Sequence, residues 1–339
     1  MSGRDYEHDQ EHYERPRRRT RPRTKDRPTY DDAVEGVVVT VDRGRYTLLV
    51  DEMPAGVTVT AMKARPLGRK GVVVGDRVRV VGDTSGVDGS LARIVEVVPR
   101  TTTLRRTADD DDPVERVIVS NAEQLVVVTA LADPDPQPRL IDRALVAAYD
   151  AGMAPLLVLT KADLCDPETL LSTYRSLGVP WLVTQRGGDL SELRAALAGR
   201  ISVLVGSSGV GKSTLVNALV PDAFREVGVV NAVTGRGRHT STSAYMLALP
   251  AEDPADRASG WIIDTPGIRS FGLAHVQPEE LIGAFPDLDE TTEDCPRGCT
   301  HGEDEPECGL DDAVTAGTAD PDRVSSFRRL LAARSVSDY

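Results

Sequence analysis

The order of three short motifs constrains this chain more than any other feature. Thr160-Lys161-Ala162-Asp163 is spelled like a guanine-reading turn, and it lies N-terminal to Gly206-Ser207-Ser208-Gly209-Val210-Gly211-Lys212-Ser213, which is spelled like a phosphate loop. Asp264-Thr265-Pro266-Gly267, a magnesium-site spelling, comes last. Ordinary guanine-nucleotide hydrolases carry the phosphate loop first. A sheet–helix unit can be cut at one surface loop and rejoined at another without losing its site. The order therefore predicts a circularly permuted GTPase core.

Each motif has a chemical reason. Gly206 and Gly211 allow successive N–H groups to turn inward on phosphates, with Ser207, Ser208, Gly209 and Val210 completing the cradle. Lys212 supplies a point charge for the β- and γ-phosphates, and the Ser213 hydroxyl is a magnesium ligand. Thr214 completes the nucleotide-contacting set, and the helix that starts here adds its positive end. Asp163 can accept from the ring N–H and exocyclic amine of guanine, Lys161 can lay its stem along the base, and Thr160 stands where Asn is commoner. Asp264 is expected to hold magnesium through water, and the Gly267 N–H to contact the γ-phosphate. Ile268 follows in place of the water-orienting Gln of many GTPases, so hydrolysis by the isolated chain should be slow. Between these motifs, Gly235-Arg236-Gly237-Arg238-His239-Thr240-Ser241-Thr242 has the position of a switch that orders on GTP binding, or else of a basic surface loop. Its hydroxyls could serve magnesium, Thr240 among them, and His239 could orient water.

The 339 residues suffice for two or three domains. No apolar run approaches the roughly 20 residues of a membrane span, and the N-terminus is charged rather than signal-like, so a cytoplasmic protein is expected. The net charge of −13 argues against wholesale attraction to nucleic acid, but charge is unevenly placed. Arg15–Arg27 holds eight Lys or Arg among 13 residues, interleaved with Pro, whereas Asp109–Asp112 is uniformly acidic. The basic arm reads as a disordered solvated tail or as a phosphate-binding arm for RNA.

Along the chain, residues 1–32 form the arm, and residues 33–99 contain about five short β-rich segments. That spacing fits a small barrel, with an OB-fold preferred and an SH3-like barrel giving the same pattern. Residues 100–113 read as a linker, and 114–288 as an α/β GTPase domain with a doubly wound parallel sheet, Val117–Val119 and Leu125–Leu131 being buried parallel strands. A helix over Arg139–Ala151, one opened by Asp166-Pro167, and one opened by an Asp189/Glu192 capping box fit the rhythm. Residues 289–339 read as a helical module organised by metal. There Cys295, Cys299, His301 and Cys308 supply three thiolates and an imidazole within 14 residues, a closed set suited to one structural zinc.

From residue 33 onward the chain resembles the ribosome small-subunit-dependent GTPase A family (RsgA, also called YjeQ). The resemblance rests on the permuted order, Arg238-His239-Thr240, Asp264-Thr265-Pro266-Gly267-Ile268 and the Cys/Cys/His/Cys cluster. It implies an OB-fold, a permuted GTPase and a zinc module, with GTP hydrolysis stimulated by the small ribosomal subunit during its late maturation. It also implies His239 as the water-positioning residue, and the subunit, its rRNA and GTP/GDP as partners of a monomeric chain. Thr184-Gln185 stands where the family has a Ser-Ala-type loop against the base, and the switch reads Thr-Ser-Thr rather than three threonines, which leaves open which hydroxyl binds magnesium. Two other readings remain: an RNA-binding module for which GTP is only a conformational ligand, and a permuted GTPase acting on the large subunit.

Overall fold

Alternating burial along the first strands closes them into a barrel. In the computed structural model, which describes residues 30–51, 53, 57–67, 71–107, 115–221, 244–251, 258–265, 271, 273 and 275–334, β1 (Val34–Asp42), β2 (Arg45–Val50), β3 (Thr58–Lys63), β4 (Arg77–Gly82) and β5 (Ala92–Val97) pair in the order β1-β2-β3-β5-β4. Val38, Leu48, Val59, Val78, Val80 and Ile94 point inward and are fully buried, as a period of two requires. The β1–β4 pairing closes the ring and β3 runs parallel to β5. That five-stranded Greek-key arrangement is the OB-fold, and it settles the choice that spacing left open.

β6 (Thr103–Thr107) and β7 (Glu115–Ser120) form a separate antiparallel pair. This corrects the assignment of Val117–Val119 as a buried strand of the parallel sheet: only Val119 is buried, Val117 and Ile118 being half-buried, and an apolar run does not show which strand it pairs with. β8 (Gln124–Ala130) is buried at all seven positions, as expected of a central parallel strand covered on both faces. It lies between β9 (Ala154–Thr160) and β11 (Ile201–Val205). β10 (Trp181–Val183) forms the far edge, β13 (Gly260–Asp264) flanks β11, and β12 (Tyr245–Leu249) runs antiparallel beside β13. Thr40 of β1 pairs with Tyr245 of β12, so barrel and parallel sheet are one continuous eleven-stranded system.

Helices alternate with the parallel strands. α1 (Pro138–Asp150) and α2 (Glu168–Tyr174) follow β8 and β9, α3 (Ser191–Leu197) follows β10, and α4 (Lys212–Leu219) follows the phosphate-loop sequence. The Asp166 carboxylate accepts from the Glu168 N–H at the start of α2. Asp189 accepts from the Ser191 N–H and hydroxyl, and α3 has no capping box, because Asp189 lies outside the N-cap position that a box needs. Three shorter or later helices, α5 (Pro278–Ile282), α6 (Pro286–Asp289) and α7 (Gly309–Ala316), precede α8 (Pro321–Ala333). Asp320 caps α8 by accepting from Asp322 N.

α1 is buried on two sides. Ile141, Leu145 and Ala148 belong to the same apolar core as Phe285, Phe327, Cys299 and Cys308. Tyr149, Phe285 and Phe327 meet edge-on with centroids 5.1 and 5.4 Å apart. Two charged residues of α1 turn toward α8: Asp142 accepts from Arg329 Nε at 3.2 Å, and Arg143 Nη1 donates to the Ala333 carbonyl at 3.2 Å. The segment carrying Cys299 and Cys308 is thus packed onto the α/β core through one shared hydrophobic cluster.

Candidate nucleotide-binding site

The strand order reverses between β8 and β11: β8, β9 and β10 progress to one side, β11 and β13 to the other. The crevice at such a switch point, beyond the carboxyl ends of the strands, is where open α/β sheets bind ligands. Both nucleotide motifs lie there. β11 delivers Gly206–Gly211 and α4 begins at Lys212. A Cβ on Gly206 would sit 2.4 Å from the Val128 carbonyl, so only glycine lets the loop pass this close to β8. Gly211 is the N-cap of α4 with φ 92°, a left-handed conformation open to glycine. Val210 is buried and anchors the loop, while Ser208, Gly209, Ser213 and Thr214 are exposed.

Asp264, at the end of β13, is 3 % exposed and has both carboxylate oxygens engaged. Oδ1 pairs with Lys212 Nζ, and Oδ2 accepts from the Tyr245 hydroxyl at 2.7 Å. Tyr245 and Asp264 are direct cross-strand partners. Burial, and then the Asp264 charge, push the Tyr245 phenol far above its ordinary range, so the hydroxyl stays a donor. The Thr265 hydroxyl next door donates to the Leu204 carbonyl at 2.7 Å and ties β13 to β11.

On the opposite side, Thr160 ends β9 with its hydroxyl donating to the Val210 carbonyl at 2.5 Å. Lys161 has φ 58° and its ammonium donates to the Asp133 carbonyl. Asp163 is exposed. Ala162 N donates to the Thr184 carbonyl at 3.2 Å, so the turn at Thr184-Gln185 lies against the 160–163 turn. The structure therefore brings Thr160, Lys161, the 206–213 loop and Asp264 to one end of one sheet. Arg15–Arg27, Asp109–Asp112, the 235–242 segment with His239 and Thr240, and Gly267 with Ile268 lie outside the described residues. Tyr245 was not legible from sequence: a single aromatic in a five-residue apolar run carries no signal, and only the register of β12 against β13 reveals it.

The Cys295, Cys299, His301 and Cys308 ligand atoms all lie within 4.8 Å of one another. His301 Nδ1 faces the sulfurs of Cys295, Cys299 and Cys308 at 3.7, 3.5 and 3.8 Å. Zn–S and Zn–N bonds of about 2.3 and 2.0 Å put tetrahedral neighbours about 3.6 Å apart, so the donor set fits a four-coordinate metal. Backbone N–H groups of His301 and Gly309 donate to the sulfurs of Cys299 and Cys295, at 3.4 and 3.1 Å, as support for thiolate charge. Burial pushes the Cys299 thiol up to about 11 and the His301 imidazole down. Arg328 holds the loop from outside, donating to the His301 carbonyl at 3.2 Å while paired to Asp311.

An OB-fold barrel, a doubly wound sheet with its guanine-type turn preceding its phosphate-loop sequence, and a closed Cys3His cluster define a circularly permuted GTPase with a C-terminal module able to hold a metal ion. Similarity to known proteins narrows this class. A family model described as RsgA GTPase matches residues 97–274. The chain is 39 % identical over 277 residues to the small ribosomal subunit biogenesis GTPase RsgA of Pseudomonas aeruginosa (strain LESB58), covering 79 % of this chain and 77 % of the relative. It is 40 % identical over 277 residues to the protein of the same name in Pseudomonas putida (strain F1), covering 79 % and 76 %. YjeQ from Thermotoga maritima superposes with a TM-score of 0.65 at 27 % identity, over 88 % of this chain and 98 % of that one. YloQ, described as a circularly permuted GTPase, shares the fold with a TM-score of 0.62 at 23 % identity, over 91 % and 97 %. The chain belongs to the RsgA GTPase family and is a GTP-hydrolysing enzyme.

Proposed function

We propose that this GTPase acts in late maturation of the small ribosomal subunit, which stimulates its turnover and so times its release. The observation that carries the partner is the match, over four-fifths of the chain, to relatives named for small-subunit biogenesis. The division of labour follows the sequence boundaries: arm 1–32, OB-fold 33–99, linker 100–113, GTPase 114–288 and zinc module 289–339. The barrel and the zinc module grip ribosomal RNA, with the basic arm adding phosphate contacts, and the chain works as a cytoplasmic monomer.

In the site, the 206–211 N–H groups and the start of α4 cradle the phosphates. Lys212 exchanges the Asp264 carboxylate for the β- and γ-phosphate oxygens, a swap of one anionic partner for another. Asp163 reads the guanine edge and Lys161 covers the base. The hard oxygen donors Ser213, Asp264 and Thr240 suit magnesium, which when bound neutralises charge developing on the transferred phosphoryl group. The Gly267 N–H holds the γ-phosphate and His239 orders the attacking water, the task that Ile268 cannot perform. The Cys3His set suits one zinc in a structural role, since it leaves no open position for substrate.

GTP hydrolysis measured with and without purified small subunits, across a range of salt, tests this. A rise of about tenfold or more with small subunits, and none with large subunits, is expected; a rate indifferent to both rules the proposal out.

A further inference from the structure

Of the two described hydrogen bonds to the Asp264 carboxylate, the one from the Tyr245 hydroxyl need not change when phosphates arrive. Lys212 holds Oδ1 and is the residue the phosphate loop presents to a nucleotide, whereas Tyr245 holds Oδ2 from the neighbouring strand at 2.7 Å. A carboxylate with one oxygen held by a fixed donor turns less freely, so the oxygen that Lys212 gives up to a nucleotide keeps its direction. Tyr245 is itself tightly placed. It is 5 % exposed, it is the cross-strand partner of Asp264, and on its other side it is the residue of β12 that pairs with Thr40 of the barrel. We propose that Tyr245 is a positioning residue: by holding Oδ2 of Asp264, it aims Oδ1 at the hydrated magnesium ion.

The inference deepens the proposed function, because it rests on Asp264 being the magnesium-side carboxylate. Outer partners of metal-binding groups typically change metal affinity by about 10- to 100-fold when removed. A ring serving only to fill the core would instead change stability and leave the magnesium requirement alone.

The test is a magnesium chloride titration of the full-length protein carrying N-methylanthraniloyl-GDP, read as retention of the fluorescent nucleotide, with melting temperature recorded in parallel. Tyr245→Phe removes the hydroxyl and keeps the ring. It should raise the half-saturating magnesium concentration about tenfold, with nucleotide affinity in excess chelator unchanged. Asp264→Ala should shift the same midpoint, and in that background Tyr245→Phe should add nothing, since its route runs through the missing carboxylate. Thr40→Val, which alters the adjacent barrel strand but leaves the hydroxyl, should leave the midpoint in place. A shifted midpoint in Asp264→Ala with none in Tyr245→Phe overturns the positioning role and spares the Asp264 assignment. No shift in either overturns the Asp264 assignment and the positioning role together. A Tyr245→Phe shift that persists without Asp264, or a fall in melting temperature with no midpoint change, also overturns the positioning role.

Discussion

The Thr160 hydroxyl donates to the Val210 carbonyl at 2.5 Å, joining the end of β9 to the phosphate-loop sequence across 50 positions of chain. Thr160 is 6 % exposed and Val210 2 %. This bond crosses over β8, so the two motifs are held at a fixed separation at one end of the sheet. The permutation changes which of them is made first and leaves their juxtaposition intact.

Replacing Thr160 by Val leaves the buried Val210 carbonyl without that donor, a loss of about 1–2 kcal/mol. We expect GTP affinity to fall about tenfold and the melting temperature to drop. Thr160→Asn, whose amide can donate to the same carbonyl, should stay close to the parent. Fluorescent-nucleotide titration of both variants checks this, and equal affinities for Val and Asn would deny the bond any role in the site.

Asp163 is exposed at the crevice mouth, with its turn fixed from behind by the Thr184 carbonyl. In the proposed role of Asp163, two charge-assisted hydrogen bonds to guanine would weaken when the carboxylate becomes an amide. Asp163→Asn should therefore lose about 100-fold in GTP affinity, at about 1.5 kcal/mol for each bond, and should accept xanthosine triphosphate, whose C2 carbonyl takes the new amide donor. Competition between the two nucleotides measures the exchange. Unchanged preference would place guanine recognition elsewhere.

The elements read correctly from sequence are those with strong local signals. β8 carries the apolar run Leu125–Val128, α1 repeats its apolar residues at helical spacing, and α2 is opened by Asp166-Pro167. The metal cluster was equally plain, because four ligands share 14 residues. The features that escaped depend on which element pairs or packs with which. Tyr245 matters through Asp264, β7 through β6, and the packing of α8 through Asp142 and Tyr149 of α1, none of which leaves a periodic trace. Asp189–Glu192 misled in the opposite way, matching a capping pattern one residue out of phase with the helix it precedes.

Asp76 is another long-range contact invisible in sequence, and it anchors the barrel to the β6–β7 pair. Fully buried, it accepts from Arg100 Nε and Nη2 at 2.7 and 2.9 Å, from the Ser120 hydroxyl at 2.7 Å and from Val73 N at 2.8 Å. These donors come from the barrel, the segment after β5 and the end of β7. Asp76→Ala should cost about 3 kcal/mol, since several donors lose one acceptor at once. Urea unfolding measures the loss; a change below about 1 kcal/mol would mean that water replaces the carboxylate freely.

Gly309 sits tightly against the Cys3His cluster. A Cβ there would lie 2.3 Å from the Thr291 carbonyl and 3.3 Å from the Cys295 sulfur, and the Gly309 N–H already donates to that sulfur. The obstruction is backbone, so Gly309→Ala must push the start of α7 away from Cys295 and spread the ligands. Zinc affinity, measured by competition with a chromophoric chelator, should fall about 10- to 100-fold. Because Cys299, Cys308 and Phe327 share their core with Ile141 and Leu145 of α1, the melting temperature of the whole chain should fall too. Stripping the parent protein with a strong chelator should do the same, and should raise protease sensitivity over 289–339. Nucleotide affinity should survive both treatments, since the crevice is built by strand ends that the cluster does not touch; its loss with the metal would show that α1 relays the damage to the site.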